Sequence, residues 1–67
     1  MIKCHLSRMM GERRIKISDL SRELGVHRNS IALLYHEKAK RVELDLLDKL
    51  CKYFGCKVGD ILEYKED

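Results

Sequence analysis

The sequence predicts an all-α fold, a compact five-helix bundle forming one domain over residues 1–67. Three observations point there. Proline is absent, so no locked φ and no missing N–H interrupts a helix. Apolar side chains recur at spacings of three and four, without the alternation of a half-buried strand, which is the period of a helix with one inward face. Glycine is limited to Gly11, Gly25, Gly55 and Gly59, and two of these stand where an apolar-periodic run ends.

The first helix is expected over about 3–12, with Ile2, Leu6, Met9 and Met10 as its stripe. A second runs over about 18–24. Ser18 suits an N-cap, Asp19 suits the positive end of the helix dipole, and Ile17 stands where a staple residue would. Leu20 and Leu24 make its inner face, and Gly25 follows as a stop able to take left-handed backbone. A third helix, about 28–36, turns Ile31, Leu34 and Tyr35 inward. The fourth, about 44–54, has Asp45 as the expected cap at its start, Gly55 at its end, and Leu46 or Leu47, Leu50, Cys51 and Phe54 inward. A last short helix, about 58–63, buries Val58, Ile61 and Leu62, and residues 64–67 are expected to fray.

Composition narrows the function. No apolar run approaches the roughly 20 residues of a membrane span. The opening Met1-Ile2-Lys3-Cys4-His5 leads into a polar segment rather than a signal peptide, so a cytoplasmic protein is expected. Cys4, Cys51 and Cys56 are odd in number, which fits reduced, partly buried thiols better than a disulfide framework. Their spacing, even with His5 added, matches no common zinc pattern. Glycine-rich phosphate loops, metal-ligand clusters and nucleophile–base pairs are all missing, so neither an enzyme nor a cofactor is expected. A domain this small has little room for a deep cleft. The net charge of +3 hides an asymmetry: residues 1–41 carry ten Lys/Arg against four acids, a balance of +6, and residues 42–67 carry four against seven, a balance of −3. Such segregation points to a polyanion at the basic side.

The segment IKISDLSRELGVHRNSIALLYH, residues 15–36, sharpens this. Only Gly25-Val26-His27 separates the second helix from the third, so the two must meet at a sharp angle, as in a helix-turn-helix unit over about 17–36. Ser21 must be small where the next helix passes over it, Gly25 must turn, and Val26, Ile31 and Leu34 must plug the angle. With that inner face fixed, Arg28, Asn29, Ala32, Leu33 and His36 face outward. The stripe is narrow enough for a B-DNA major groove about 12 Å wide. Arg forks onto guanine O6 and N7, Asn pairs with adenine N6 and N7, and an exposed leucine suits a thymine methyl.

With these residues in place, the chain resembles the Cro-like and phage-repressor-like (Xre-type) helix-turn-helix proteins. The resemblance runs from Leu6 to about Leu62. It rests on the spacing Leu20-Ser21-x3-Gly25-Val26-x4-Ile31-x2-Leu34 and on LCKYFGCKVGDIL, residues 50–62. It implies a transcriptional regulator of the repressor type, whose third helix lies in the major groove. The base-reading positions it implies are Arg28, Asn29, Ala32 and Leu33. His27, Ser30 and His36 would lie near backbone or bases, and Lys38, Lys40 and Arg41, with members of the group Arg13, Arg14, Lys16 and Arg22, would meet phosphates. A single helix covers only a few base pairs, so a homodimer is expected, joined through the C-terminal helices at Phe54, Val58, Ile61 and Tyr64. Three departures stand out. His27 replaces the frequent Ser or Thr cap. Met10 and Tyr35 stand where an Arg–Glu pair is frequent, which suggests a thioether–aromatic contact. Glu37 replaces the glycine that often follows the third helix. The rival reading is a protein-interaction module, such as an antitoxin or an accessory subunit, using the same helix face. A third is a redox or metal sensor built on the three cysteines.

Overall fold

The computed structural model describes residues 1–66 and runs β1 (Ile2–Cys4), α1 (Leu6–Glu12), α2 (Ile17–Leu24), α3 (Arg28–Tyr35), α4 (Leu44–Phe54), α5 (Val58–Ile61) and β2 (Leu62–Tyr64). The five expected helices are there, but the fold is not all-α. The two chain ends pair as an antiparallel ribbon with Ile2 opposite Tyr64, Lys3 opposite Glu63 and Cys4 opposite Leu62. Backbone bonds extend it at both ends, from the His5 N–H to the Ile61 carbonyl (2.7 Å) and from the Lys65 N–H to the Met1 carbonyl (2.8 Å). Ile2 therefore belongs to a strand and is exposed, not to the stripe of the first helix. Tyr64 and Lys65 are tied rather than frayed, while Asp67, the end of the expected frayed tail, lies outside the described residues. Three residues per strand are too few to show alternation, and each strand finds its partner some sixty residues away in the sequence.

Four helix ends share one device. In each, a residue one or two places past the helix takes left-handed backbone: Arg14 (φ +56°), Gly25 (+66°), Glu37 (+56°) and Gly55 (+63°). The next N–H then reaches back to the carbonyl five residues earlier: Ile15 to Met10 (3.0 Å), Val26 to Ser21 (3.0 Å), Lys38 to Leu33 (2.8 Å) and Cys56 to Cys51 (3.1 Å). This is the Schellman arrangement, which satisfies carbonyls that a helix end leaves without partners. Only two of the four use glycine.

Two helix starts also match. The Asp19 carboxylate accepts the Lys16 backbone N–H (3.2 Å), and the Asp60 carboxylate accepts that of Lys57 (2.9 Å). Lysine ammonium groups have no acceptor atom, so only the carboxylate half of a capping box operates. The cap of α2 is thus Lys16 rather than Ser18, and the cap of α4 is Glu43, with Asp45 in the first turn.

One cluster forms the core: Leu6 and Met10 of α1, Leu20 of α2, Ile31 and Leu34 of α3, Leu46, Leu50 and Phe54 of α4, and Ile61 of α5. Each such side chain contributes about 1.5–3 kcal/mol by leaving water. Leu47 is buried as well, so both leucines of the α4 pair face inward. Val58 does not; it is 48% exposed. In a helix as short as α5, one residue, Ile61, fills the inward position. No helix among the described residues is long and apolar enough to cross a membrane.

Candidate nucleic-acid interface

The site is built from the joint between α2 and α3. Ser21, half-buried, donates its hydroxyl to the Ser18 carbonyl (3.0 Å), so a small polar residue sits at the crossing without an unmet donor. Gly25 turns the chain, and Val26 packs on the core. On α3, Ile31 is fully buried and Leu34 nearly so. These two anchors fix the rotation of the helix. With residues about 100° apart around the axis, Asn29, Leu33 and His36 point directly away from the core, and all three are exposed. Ala32 is half-buried beside them. Leu33 is 39% exposed; the helix does not roll it inward.

Arg28 is exposed but lies on one flank of this face. With Lys16, Ile17, Ser18 and Tyr35 it lines a shallow depression where the start of α2 meets α3. Ser30 lies on the opposite flank, in a depression with His27 and the start of α4. His27 precedes α3 in extended backbone, and no side chain caps the helix there. Tyr35, half-buried, meets the His36 ring edge-on with centroids 5.0 Å apart. Met10 is fully buried, and Tyr35 packs at the rim of the same core.

Charge follows the same geography. The lysines of α4 are paired on their own helix, Lys49 with Asp45 (3.6 Å) and Lys52 with Asp48 (3.1 Å). Arg22 reaches Asp19 (3.0 Å). By contrast Arg28, Lys38, Lys40 and Arg41 pair with no acid among the described residues, and all four are exposed. Lys16 is exposed at the mouth of α2. Arg28, Lys38, Lys40 and Arg41 lie on α3 and in the loop that follows it; Arg8, Arg14, Lys57 and Lys65, also exposed and in no ion pair with an acid among the described residues, lie elsewhere on the chain.

Arg13 has another task. Its guanidinium donates to the carbonyls of Tyr53 (3.4 Å) and Phe54 (3.0 Å) and stacks 4.8 Å from the Phe54 ring centroid. A cation at a helix C-terminus is favourable, so this residue holds the end of α4. Glu37 likewise makes a contact that its sequence neighbours do not announce. Its carboxylate accepts the Cys4 N–H at 3.1 Å, linking the exit of α3 to β1. The only sequence signal was an acid where glycine is frequent. The expected dimer surface needs correction: Phe54 and Ile61 belong to the core, whereas Val58 and Tyr64 are exposed. All three cysteines are free and half-buried, and among the described residues no three His, Cys, Asp or Glu gather as a metal would require.

The chain matches the sequence model of the Cro/C1-type HTH DNA-binding domain over residues 5–67. It is also 36% identical over 59 residues to "Uncharacterized HTH-type transcriptional regulator YozG" of Bacillus subtilis (strain 168), an alignment covering 88% of this chain and 70% of that protein. The family match takes in both the α2–α3 joint and the α4–α5 segment. The chain belongs to the Cro/C1-type helix-turn-helix DNA-binding domain family.

Proposed function

We propose that this protein is a sequence-specific transcriptional regulator of the repressor type that reads double-stranded DNA with α3 in the major groove. Asn29, Ala32 and Leu33 meet base edges and Arg28 reaches them from the flank. His27, Ser30 and His36 lie beside the backbone, with Lys16, Arg22, Lys38, Lys40 and Arg41 on phosphates. One observation carries the reading: α3 buries Ile31 and Leu34 and leaves Asn29, Leu33 and His36 uncovered, amid cations that no acid of the described fold neutralises. Phosphate neutralisation supplies affinity and register, and base edges supply choice. Repression follows from occupancy, since a bound protein excludes others from the same duplex.

A single α3 spans a few base pairs, so a homodimer with its two helices about 34 Å apart on one face of the duplex gives useful specificity. The exposed residues of the C-terminal region, Val58 and Tyr64, are available for that contact.

Selection from a random duplex library, followed by titration of the selected duplex and a scrambled one across salt concentrations, tests this. The expected result is a steep salt slope on both and a clear preference for the selected sequence. Weak, sequence-blind binding would favour the protein-interaction reading instead.

A further inference from the structure

We propose that Cys51 and Cys56 form a dithiol site at the C-terminal end of α4, which small aliphatic disulfides oxidise to an intramolecular disulfide. The helix end itself brings the two residues together. Gly55 takes left-handed backbone, and the Cys56 N–H returns to the Cys51 carbonyl at 3.1 Å. Standard bond lengths around that hydrogen bond hold the two Cα atoms within about 7 Å, the reach of a disulfide. A Schellman end commonly places an apolar contact between these same two positions. At the ends of α1, α2 and α3 the pairs are Met10 with Ile15, Ser21 with Val26 and Leu33 with Lys38. At α4 both members are thiols.

The same geometry sets the two side chains at one helix end, close enough for Cys51 to act on the Cys56 thiol. Both are half-buried rather than sealed, so a small reagent can reach them. Desolvation first, then the neighbouring Cys51 and Asp60, push the Cys56 thiol above its ordinary value, while Arg13 pulls it back in part. Thiolate is the attacking species, so the reaction accelerates as pH rises.

The steps balance. One thiol loses its proton and its sulfur attacks the small disulfide, whose S–S bond breaks. One half leaves as a thiolate and takes up a proton, and the other half stays on the protein as a mixed disulfide. The second cysteine then loses its proton and attacks the protein sulfur of that bond, releasing the other half as a thiol. Two protein thiols lose two electrons and two protons, and the reagent becomes two thiols.

The test incubates the reduced full chain with hydroxyethyl disulfide, quenches with acid, alkylates and maps the products by mass spectrometry. The expected product is a monomer lighter by two hydrogens, with one alkylatable thiol at Cys4, and the mixed disulfide should close roughly tenfold or more faster in the folded chain than in the urea-unfolded one, since the fold supplies proximity. Cys4→Ser should form the same bond. Cys51→Ser and Cys56→Ser should each stop at the mixed disulfide. A bond to Cys4, a disulfide-linked dimer, or equal closure rates in the folded and unfolded chain would overturn the proposal.

Discussion

The carboxylate of Glu37 accepts the backbone N–H of Cys4 at 3.1 Å across 33 positions of sequence. Glu37 does this from left-handed backbone, φ +56°, at the end of α3. For an L-residue that conformation costs about 1–2 kcal/mol, and the hydrogen bond returns about 1 kcal/mol. Glu37→Gly removes both terms and should leave stability nearly unchanged. Glu37→Ala keeps the strain and loses the bond, and should cost about 1 kcal/mol or more. Urea unfolding of the two variants separates the terms: equal midpoints would mean that the backbone at position 37 carries no strain.

Arg28 and Lys40 should fail in different ways on DNA. Arg28→Ala is expected to weaken the selected duplex by roughly 1–3 kcal/mol and to relax one base position, with less effect on scrambled duplex. Lys40→Ala should weaken all duplexes alike and lower the salt slope by about 1. Fluorescence anisotropy titrations at several salt concentrations read both quantities. An equal loss on every sequence for Arg28→Ala would reassign Arg28 to phosphate, which its place beside Lys16 on the α2 flank makes a sharp alternative.

The α2–α3 joint was legible because each demand falls on nearby residues. Leu20, Gly25, Ile31 and Leu34 lie within fifteen positions, and their spacing alone sets which face of α3 is outside. Gly55 was legible for the same local reason. Arg14 and Glu37 were not, since an L-residue announces no left-handed backbone. The strands were hidden because Ile2 and Tyr64 acquire their conformation from each other. The misassigned dimer surface shows the same limit. Phe54 and Tyr64 are both aromatic and C-terminal, yet one fills the core and the other stands 69% exposed. That difference comes from tertiary packing that local periodicity does not encode.

The ribbon makes stability depend on pH through Glu63. Its carboxylate accepts from His5 Nε2 at 2.7 Å. That hydrogen bond first, then Lys65 and the charges of His5 and Arg8, hold the Glu63 carboxyl below its ordinary value against a smaller opposing effect of desolvation. A folded-state value below the unfolded one adds stability that is present above the unfolded value and lost as pH falls through the folded one. The wild-type chain should therefore lose urea resistance as pH drops through the acid range below the ordinary carboxylate value. Glu63→Gln should show a smaller decline there and a lower midpoint at neutral pH. Parallel pH profiles for the two proteins would dissociate Glu63 from the acid limb.

The sequence neighbourhood of Arg13 places it in a group expected to supply phosphate contacts, and its contacts at the end of α4 argue otherwise. It donates to the Phe54 carbonyl at 3.0 Å and lies over the Phe54 ring. A charge at a helix C-terminus and a guanidinium–ring contact at an exposed site are each worth about 0.5–1 kcal/mol. Arg13→Ala should therefore lower stability by about 1–2 kcal/mol. Arg13→Lys should recover only part of it, since an ammonium lacks the planar fork that reaches the carbonyls of Tyr53 and Phe54 while lying over a ring. Under conditions where both variants stay folded, DNA affinity and the salt slope should match those of the unaltered chain. A slope lowered by about one for Arg13→Ala would place this cation on a phosphate after all; an unchanged slope with lower urea resistance would leave it as the clasp between the α1–α2 loop and α4.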